Sequence, residues 1–438
     1  MNKTKALSVS LVLSMAFVLS ACGKNNNEAS SSPSASAPAA TESSSPSASA
    51  SASEAAEEDL KPEDGASLVV WESKEFRANL EKVAQAFTAE YNIPVKIEEV
   101  NEPDQINKLV NDGPAGVGAD VVIFPHDNLG KAVAAGILLE NDYFQDVTTS
   151  ENSEASVKAF TFKDVLYGYP RSVETYGLFY NKDLIPEPPK TYDEILEFAK
   201  TFNKDGQYAL MWEITNFYYA YQFLATPGGY VFGGNGSDAN DIGLNNEGAI
   251  KGAQMFQKLK SILPMKAADA TFDVKKGLFT SGKLALDING PWAIADLKAA
   301  GVNFGIAPLP SIDGKANVSF SGVKGFAVSS FTKYPNAAKL FSRYASTKEN
   351  QLLYYKDLGF LPSNKEAATD PVVTADPLIV GILEQFKNSY PMPAIPEMGN
   401  VWGAAAAALT DIWDNGKDPK EALDNAVKQI KEANAATK

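Results

Sequence analysis

The chain has 438 residues, 45% of them hydrophobic, and a formal net charge of −15. That length leaves room for two or more domains with proper cores. The negative charge excludes nucleic acid, which demands a surplus of Lys and Arg, and general adhesion to anionic lipid. With one cysteine, Cys22, and one histidine, His126, there is no internal disulfide, no Cys/His zinc centre, and no nucleophile–histidine pair that avoids His126.

Residues 1–21 carry Lys3 and Lys5 ahead of an apolar run from Leu7 to Leu19. The run is too short and too early for a membrane span and reads as an export signal. It ends Leu19-Ser20-Ala21-Cys22, which resembles the bacterial lipoprotein box, in which the cysteine is acylated and becomes the mature N-terminus. Several acyl chains on Cys22 would hold the protein at a lipid bilayer, on the extracytoplasmic face of the cell membrane. Residues 22–66 are then the lipidated cysteine and a linker of mostly Ser, Ala, Pro, Glu and Asn. Such a segment cannot offset its ordering entropy by burial, and it is predicted to be a disordered tether.

The folded part opens with SLVVWE (67–72), a short buried strand whose Trp71 is assigned to the core. In KEFRANLEKVAQAFTAEYN, Phe76, Leu80, Val83, Ala84, Phe87 and Tyr91 share a helical face that Asn92 ends. PVKIEEV and ADVVIFP are the second and third strands, and DNLGKAVAAGILLE is a helix. This alternation predicts a parallel sheet with right-handed crossovers, and such sheets bind ligands beyond the carboxyl ends of their strands. Two polar loops lie there side by side: Glu72-Ser73-Lys74-Glu75 and Pro125-His126-Asp127-Asn128.

VETYGLFYN alternates as a long strand, and PPKTYDEILEFAKTF opens a helix with Thr191 as N-cap and Glu194 three residues on. QYALMWEITNFYYAYQFLATPGGYVFGG carries a heavy aromatic load. GKLALDINGPWAIADLKAAG reads strand, loop, helix. VNFGIAPLP and GVKGFAVSS are further strands, and YPNAAKLFSRYAS and TKENQLLYYKDLG are helices. VWGAAAAALTDIWDNG is a helix stopped by Gly416, and PKEALDNAVKQIKEAN closes the chain as an amphipathic helix. Two motifs fail: SDANDIGLNNEGA has Ile242 and Ala249 where a calcium loop needs oxygen ligands, and DGPAGVGAD lacks the Gly-Lys-Ser/Thr of a phosphate loop.

The segments VVIFPHDNLGKAVAAGIL, YGYPRSVETYGLFYNKDLIPEPPKTYDE, ALMWEI through GGYVF, DINGPWAI and PAIPEMGNVW resemble the extracellular solute-binding proteins of ABC importers, of the maltose/maltodextrin-binding type. The likeness runs from about residue 67 to 435. It implies a two-lobed α/β periplasmic-binding-protein-like fold (type II), with crossing strands as hinge and the ligand in the interlobe cleft. The implied N-terminal lobe is 67–173 plus 325–374 and the C-terminal lobe 177–322 plus 378–438, with crossings near 174–176, 323–324 and 375–377. The implied partners are a maltodextrin-type oligosaccharide and the transmembrane subunits of an ABC permease. A monomer without cofactor, metal or catalytic residue is expected.

A sugar ring offers apolar C–H faces and a rim of hydroxyls, so its site wants aromatic platforms and charged acceptors. The resemblance makes Trp292 (in NGPW), Trp402 and Tyr218 the platforms, and Asp127 and Glu174 the hydroxyl acceptors. Trp212 lines the cleft or packs beneath it, and His126 is a structural hydrogen-bonder. The polar rim departs from the family pattern. Glu72 and Lys74 stand where an Asp-Lys pair is usual, Phe124 replaces Trp, and Asn128 replaces a basic residue. Asn216 replaces an acid, with Glu213 near it, and Ala406 replaces Arg, with Lys324 the candidate replacement cation. A secreted glycan hydrolase using Asp127 and Glu174, and a receptor for another oligosaccharide or a sugar alcohol, are the rival readings.

Overall fold

The computed structural model describes residues 60–436. The expected export signal, Cys22 and most of the expected tether lie outside the described residues. The last part of that tether is a correction. Asn336 and Ala337 donate their backbone N–H groups to the two carboxylate oxygens of Glu63, at 2.8 and 3.1 Å, and the Asn336 side chain donates to the Lys61 carbonyl. Glu63 thus satisfies the free N–H groups at the start of the helix Pro335–Ala345. Ala66 is buried and Leu60 packs on the adjoining core. Its charged residues made 60–66 read as solvated, whereas one of those charges is a helix-end anchor.

The first sheet has the order β10-β4-β9-β3-β1-β2. Its strands are β1 (Leu68–Glu72), β2 (Val95–Glu99), β3 (Val121–Pro125), β4 (Gly168–Thr175), β9 (Ser319–Val328) and β10 (Leu361–Pro362). The first three are mutually parallel, as the strand–helix alternation predicts, while β9 runs antiparallel to both β3 and β4. Strand alternation sends Val121 and Ile123 to one face, with Leu80, Phe87 and Phe341. Val122 and Phe124 go to the other, with Leu109, Leu129 and Phe160. Helices therefore cover both faces of this sheet.

The second sheet has the order β8-β5-β7-β6, from β5 (Gly177–Asn181), β6 (Tyr208–Met211), β7 (Leu284–Asn289) and β8 (Phe304–Ala307). Its core joins these strands to the helices Phe217–Ala225, Glu247–Lys258, Val401–Asp414 and Pro419–Ala436. The stretch read as one long strand is in fact β4 and β5, which belong to different sheets and meet at Tyr176. The second passage, expected at 323–324, is carried by β9 itself: the strand pairs within the first sheet from Ser319 onward, yet Phe320 packs in the second core and Val323 in a core of the first sheet. The helix Pro377–Phe386 and β11 (Ser389–Pro391), which pairs parallel with β9, went unread in the sequence.

The junction is held by side chains. Thr175 Oγ1 donates to the Phe320 carbonyl at 2.6 Å and lies 2.7 Å from Ser319 Oγ. Phe320 belongs to the first sheet's β9, yet its ring stacks face to face on Tyr221 of the second core, with centroids 3.5 Å apart and planes at 4°. Removing the Glu63 anchor tests the N-terminal correction. Glu63→Ala should cost about 1 kcal/mol in denaturant unfolding and speed amide exchange at Asn336 and Ala337.

Candidate functional site

A row of buried charges crosses the carboxyl ends of β1 and β4. Glu72 is fully enclosed, one oxygen accepting from Ser73 N at 2.8 Å and the other from Arg171 Nη1 at 2.7 Å. Arg171 Nη2 donates to Glu102. Lys324 Nζ lies 2.7 Å from Glu102 Oε2 and 3.2 Å from Glu174 Oε2. The signs alternate along Glu72, Arg171, Glu102, Lys324 and Glu174. Pairing of β4 with β9 steps from Ser172 to Pro170 and skips Arg171, a bulge that re-aims this side chain toward the row. Burial pushes the Glu72 carboxyl up to about 7 against the pull of Arg171. Burial also raises Glu174, with Lys324 opposing. Glu102 suffers the same desolvation, but Lys324 and Arg171 together outweigh it and hold its carboxyl below the usual range.

Above this row the two sheets touch. The Lys324 ammonium lies 5.7 Å from the ring centroids of Phe76, Trp292 and Phe360. Lys324 is on β9 of the first sheet, and Trp292 follows β7 of the second. A second contact spans the same boundary: the Trp402 indole N–H approaches the Asp127 carboxylate and favours its charged form. Desolvation dominates at Asp127, and the carboxyl is pushed up to about 7. Tyr218 stands 6.3 Å from Trp292, and its ring is nearly parallel to that of Phe320. The Tyr218 hydroxyl is buried with no partner among the described residues. An unmet buried hydroxyl is destabilising by about 1–3 kcal/mol, so the site favours a ligand that brings a hydrogen-bonding group to it. Aromatic faces, carboxylates and an unsatisfied hydroxyl within one cleft suit a polyhydroxylated ligand with apolar faces.

The structure brings Trp292, Trp402, Tyr218, Asp127, Glu174 and Lys324 together. Other expectations need correction. Phe124 is fully buried in the core, edge-on to Phe160, because strand alternation turns it away from the cleft. Of its two expected placements Trp212 takes the second, packing beneath the site against Trp413, Phe223 and Phe256, with its N–H on the Ile214 carbonyl. Glu72 has both oxygens engaged inside the protein, and Lys74, the first residue of the helix Lys74–Tyr91, is exposed, so the two do not act as a pair. Asn216 is spent as an N-cap, accepting from Tyr218 N at 3.1 Å. Glu213 is partly buried, its carboxyl raised by desolvation with nearby Lys275 opposing.

Arg171 and Glu102 went unread. The signal for Arg171 was an arginine inside the otherwise uncharged run GYPRSV, since a charge in a buried strand needs a partner. His126 is a structural clamp, as expected. Its Nδ1 accepts from Val323 N at 3.1 Å, which leaves Nε2–H to donate to the Met392 carbonyl at 2.9 Å. It ties β3 and β9 to the segment that leads to Trp402. Gly130 does so too: its N–H donates to the Ala394 carbonyl, and a Cβ there would sit 2.4 Å from that oxygen.

Two sheets whose loops face each other across aromatic platforms define a ligand-binding protein of the hinged, two-lobed class. The chain matches the family described as bacterial extracellular solute-binding protein over residues 82–381. A galactooligosaccharide-binding protein of Bacillus subtilis is 38% identical over 376 residues, covering 84% of this chain and 89% of the relative. A maltooligosaccharide ABC transporter solute-binding lipoprotein of Streptococcus pneumoniae is 33% identical, with 85% and 91% covered. The crystal structure of a cyclo/maltodextrin-binding protein complexed with maltotetraose superposes with a TM-score of 0.71 at 40% identity, covering 84% of this chain and 97% of that one. The chain belongs to the bacterial extracellular solute-binding protein family, and its fold is the type II, two-lobed α/β arrangement.

Removal of Arg171 would leave Glu72 and Glu102 unpaired in a dry environment. Arg171→Met should destabilise the protein by about 3–5 kcal/mol, read from denaturant midpoints. The clamp histidine has a pH signature. Burial depresses His126 to about 4, from an ordinary 6.5. Between these values the unfolded chain takes a proton that the folded chain refuses, so this group weakens the fold as pH falls. Glu72 and Asp127, held up to about 7, have the opposite sign and favour the fold as pH falls from 7 toward their ordinary values. His126→Gln removes the opposing contribution. Its stability relative to the parent should therefore improve by about 2 kcal/mol between pH 7.5 and 5, measured by urea unfolding at both values.

Proposed function

We propose that this protein is the substrate receptor of an ABC importer, capturing maltodextrin-type oligosaccharides in the interlobe cleft and delivering them to the membrane permease. The observation that carries the reading is the approach of the Lys324 ammonium to 5.7 Å from the Trp292 ring centroid, one side chain from each lobe, with Asp127 and Trp402 flanking the same boundary. A sugar slipped between the lobes would exchange that contact for stacking on the rings and hydroxyl bonds to Asp127, Glu174 and Tyr218. Both lobes then gain from closing, which couples binding to hinge motion. The similarity to proteins named for maltooligosaccharides, one solved with maltotetraose, supports the same ligand class.

The protein acts as a receptor and not as a hydrolase. The streptococcal relative is named a transporter's solute-binding protein and the matched structure a cyclo/maltodextrin-binding protein, which supports this reading over a hydrolase. The lobes are taken as 67–173 plus 325–374 and 177–322 plus 378–438, with β9 spanning the second boundary. Acylated Cys22 would hold the receptor on the extracytoplasmic face, in keeping with the streptococcal relative named a lipoprotein. The galactooligosaccharide-binding relative favours a second reading, in which the altered polar rim selects that sugar instead.

Calorimetry with maltotetraose, a cyclodextrin and a galactooligosaccharide separates the two. Maltotetraose should bind most tightly; if only the galactooligosaccharide binds below millimolar, the second reading stands. Trp292→Ala should weaken maltotetraose binding about thirtyfold, the loss of a buried aromatic anchor of about 2 kcal/mol.

A further inference from the structure

A second buried ion pair lies behind the platform loop, outside the row at the cleft floor. Lys275, on the helix Phe272–Thr280, is fully buried and its Nζ donates to Asp287 Oδ1 at 2.8 Å and to the Ile288 carbonyl at 3.1 Å. Burying an ammonium and a carboxylate together rarely adds stability over apolar residues of the same size. The rest of the hydrogen bonding shows where this pair acts. Asp287 Oδ2 accepts from Asn289 Nδ2 at 2.8 Å, and Asn289 Oδ1 accepts from Gly290 N at 2.9 Å. Gly290 in turn carries the Trp292 indole flat against it: a Cβ at Gly290 would sit 2.1 Å from that ring. The same ammonium lies 5.4 Å from the centroid of Tyr219, whose ring stands 6.5 Å from Trp292 at 56°.

We infer that Lys275 is a positioning residue for Trp292, fixing the platform from below through Asp287, Asn289 and Gly290, and from the side through Tyr219. The inference rests on the reading of Trp292 as a sugar platform. Lys275 satisfies one carbonyl of β7, at Ile288, but the hydrogen bonds of the pair reach beyond the sheet. Strand β7 is already bonded to β5 and β6 through its backbone, and the side-chain bonds of Asp287 run to Lys275 and onward to the platform loop.

A double-mutant cycle tests it, with maltotetraose binding measured by calorimetry for the parent, Lys275→Met, Trp292→Ala and the combination. Lys275→Met should weaken binding about tenfold in the parent but less than about twofold when Trp292 is already alanine, the non-additivity expected of residues acting through one contact. Equal losses in both backgrounds, or no loss in the parent, would overturn the inference. Asn289→Ala and Tyr219→Leu interrupt the same two routes without stranding a charge; they should show the same dependence on Trp292, and they decide the matter if Lys275→Met does not fold. Should Trp292→Ala bind as the parent does, the platform reading fails and the inference with it. If the parent binds the galactooligosaccharide and not maltotetraose, the sugar assignment alone fails, and the same cycle run with that sugar judges Lys275.

Discussion

Five charged side chains lie side by side at the end of the first sheet, out of reach of bulk water, and alternation of sign is what lets them do so. Isolated, any one of them would face a desolvation penalty of several kcal/mol. Together, each of the inner three touches an opposite charge on either side, from Glu72 through Arg171, Glu102 and Lys324 to Glu174. The row also joins distant parts of the chain, since its members come from the ends of β1 and β4, the start of the segment after β2, and the middle of β9. Its far end is the cleft. Lys324 closes the row electrostatically and at the same time presents its ammonium to three aromatic rings, one of them in the opposite lobe. Stability of the first lobe and the polarity of the binding surface are therefore set by the same atoms.

This dual role explains how the polar rim can differ from that of the family while the platforms stay. Glu72 occupies the place of a ligand-facing acid, but Arg171 and the Ser73 amide have drawn it inward. Acids at the cleft are left with one strong cation, Lys324, in place of several. In the proposed reading, hydroxyl recognition falls on Asp127, Glu174 and the Tyr218 oxygen, which has no partner among the described residues. Such a rim depends on stacking more than on charge, which suits neutral saccharides.

Periodicity made much of the fold legible. Helical spacing picked out Leu80, Val83, Ala84 and Phe87 as the inward face of Lys74–Tyr91, and Thr191 caps its helix from the Glu194 amide as read. Trp292 and Trp402 stood out because they sit in motifs that resemble the family's. What sequence could not convey was direction. Phe124 and Asp127 are three residues apart, yet a strand turns one into the core and a loop turns the other into the cleft. Arg171 depends on a bulge, and a bulge depends on the partner strand β9, some 150 residues later. Tyr176 looked like the middle of one strand because alternation continues unbroken while the hydrogen-bonding partners change.

Glu63 grips the helix Pro335–Ala345 in the first lobe. Whatever holds the chain upstream of Leu60 therefore pulls on one lobe only, and its line of force bypasses the hinge. A pull arriving from upstream of Leu60 would be taken up by that helix and the sheet beneath it, not by the strands that join the lobes.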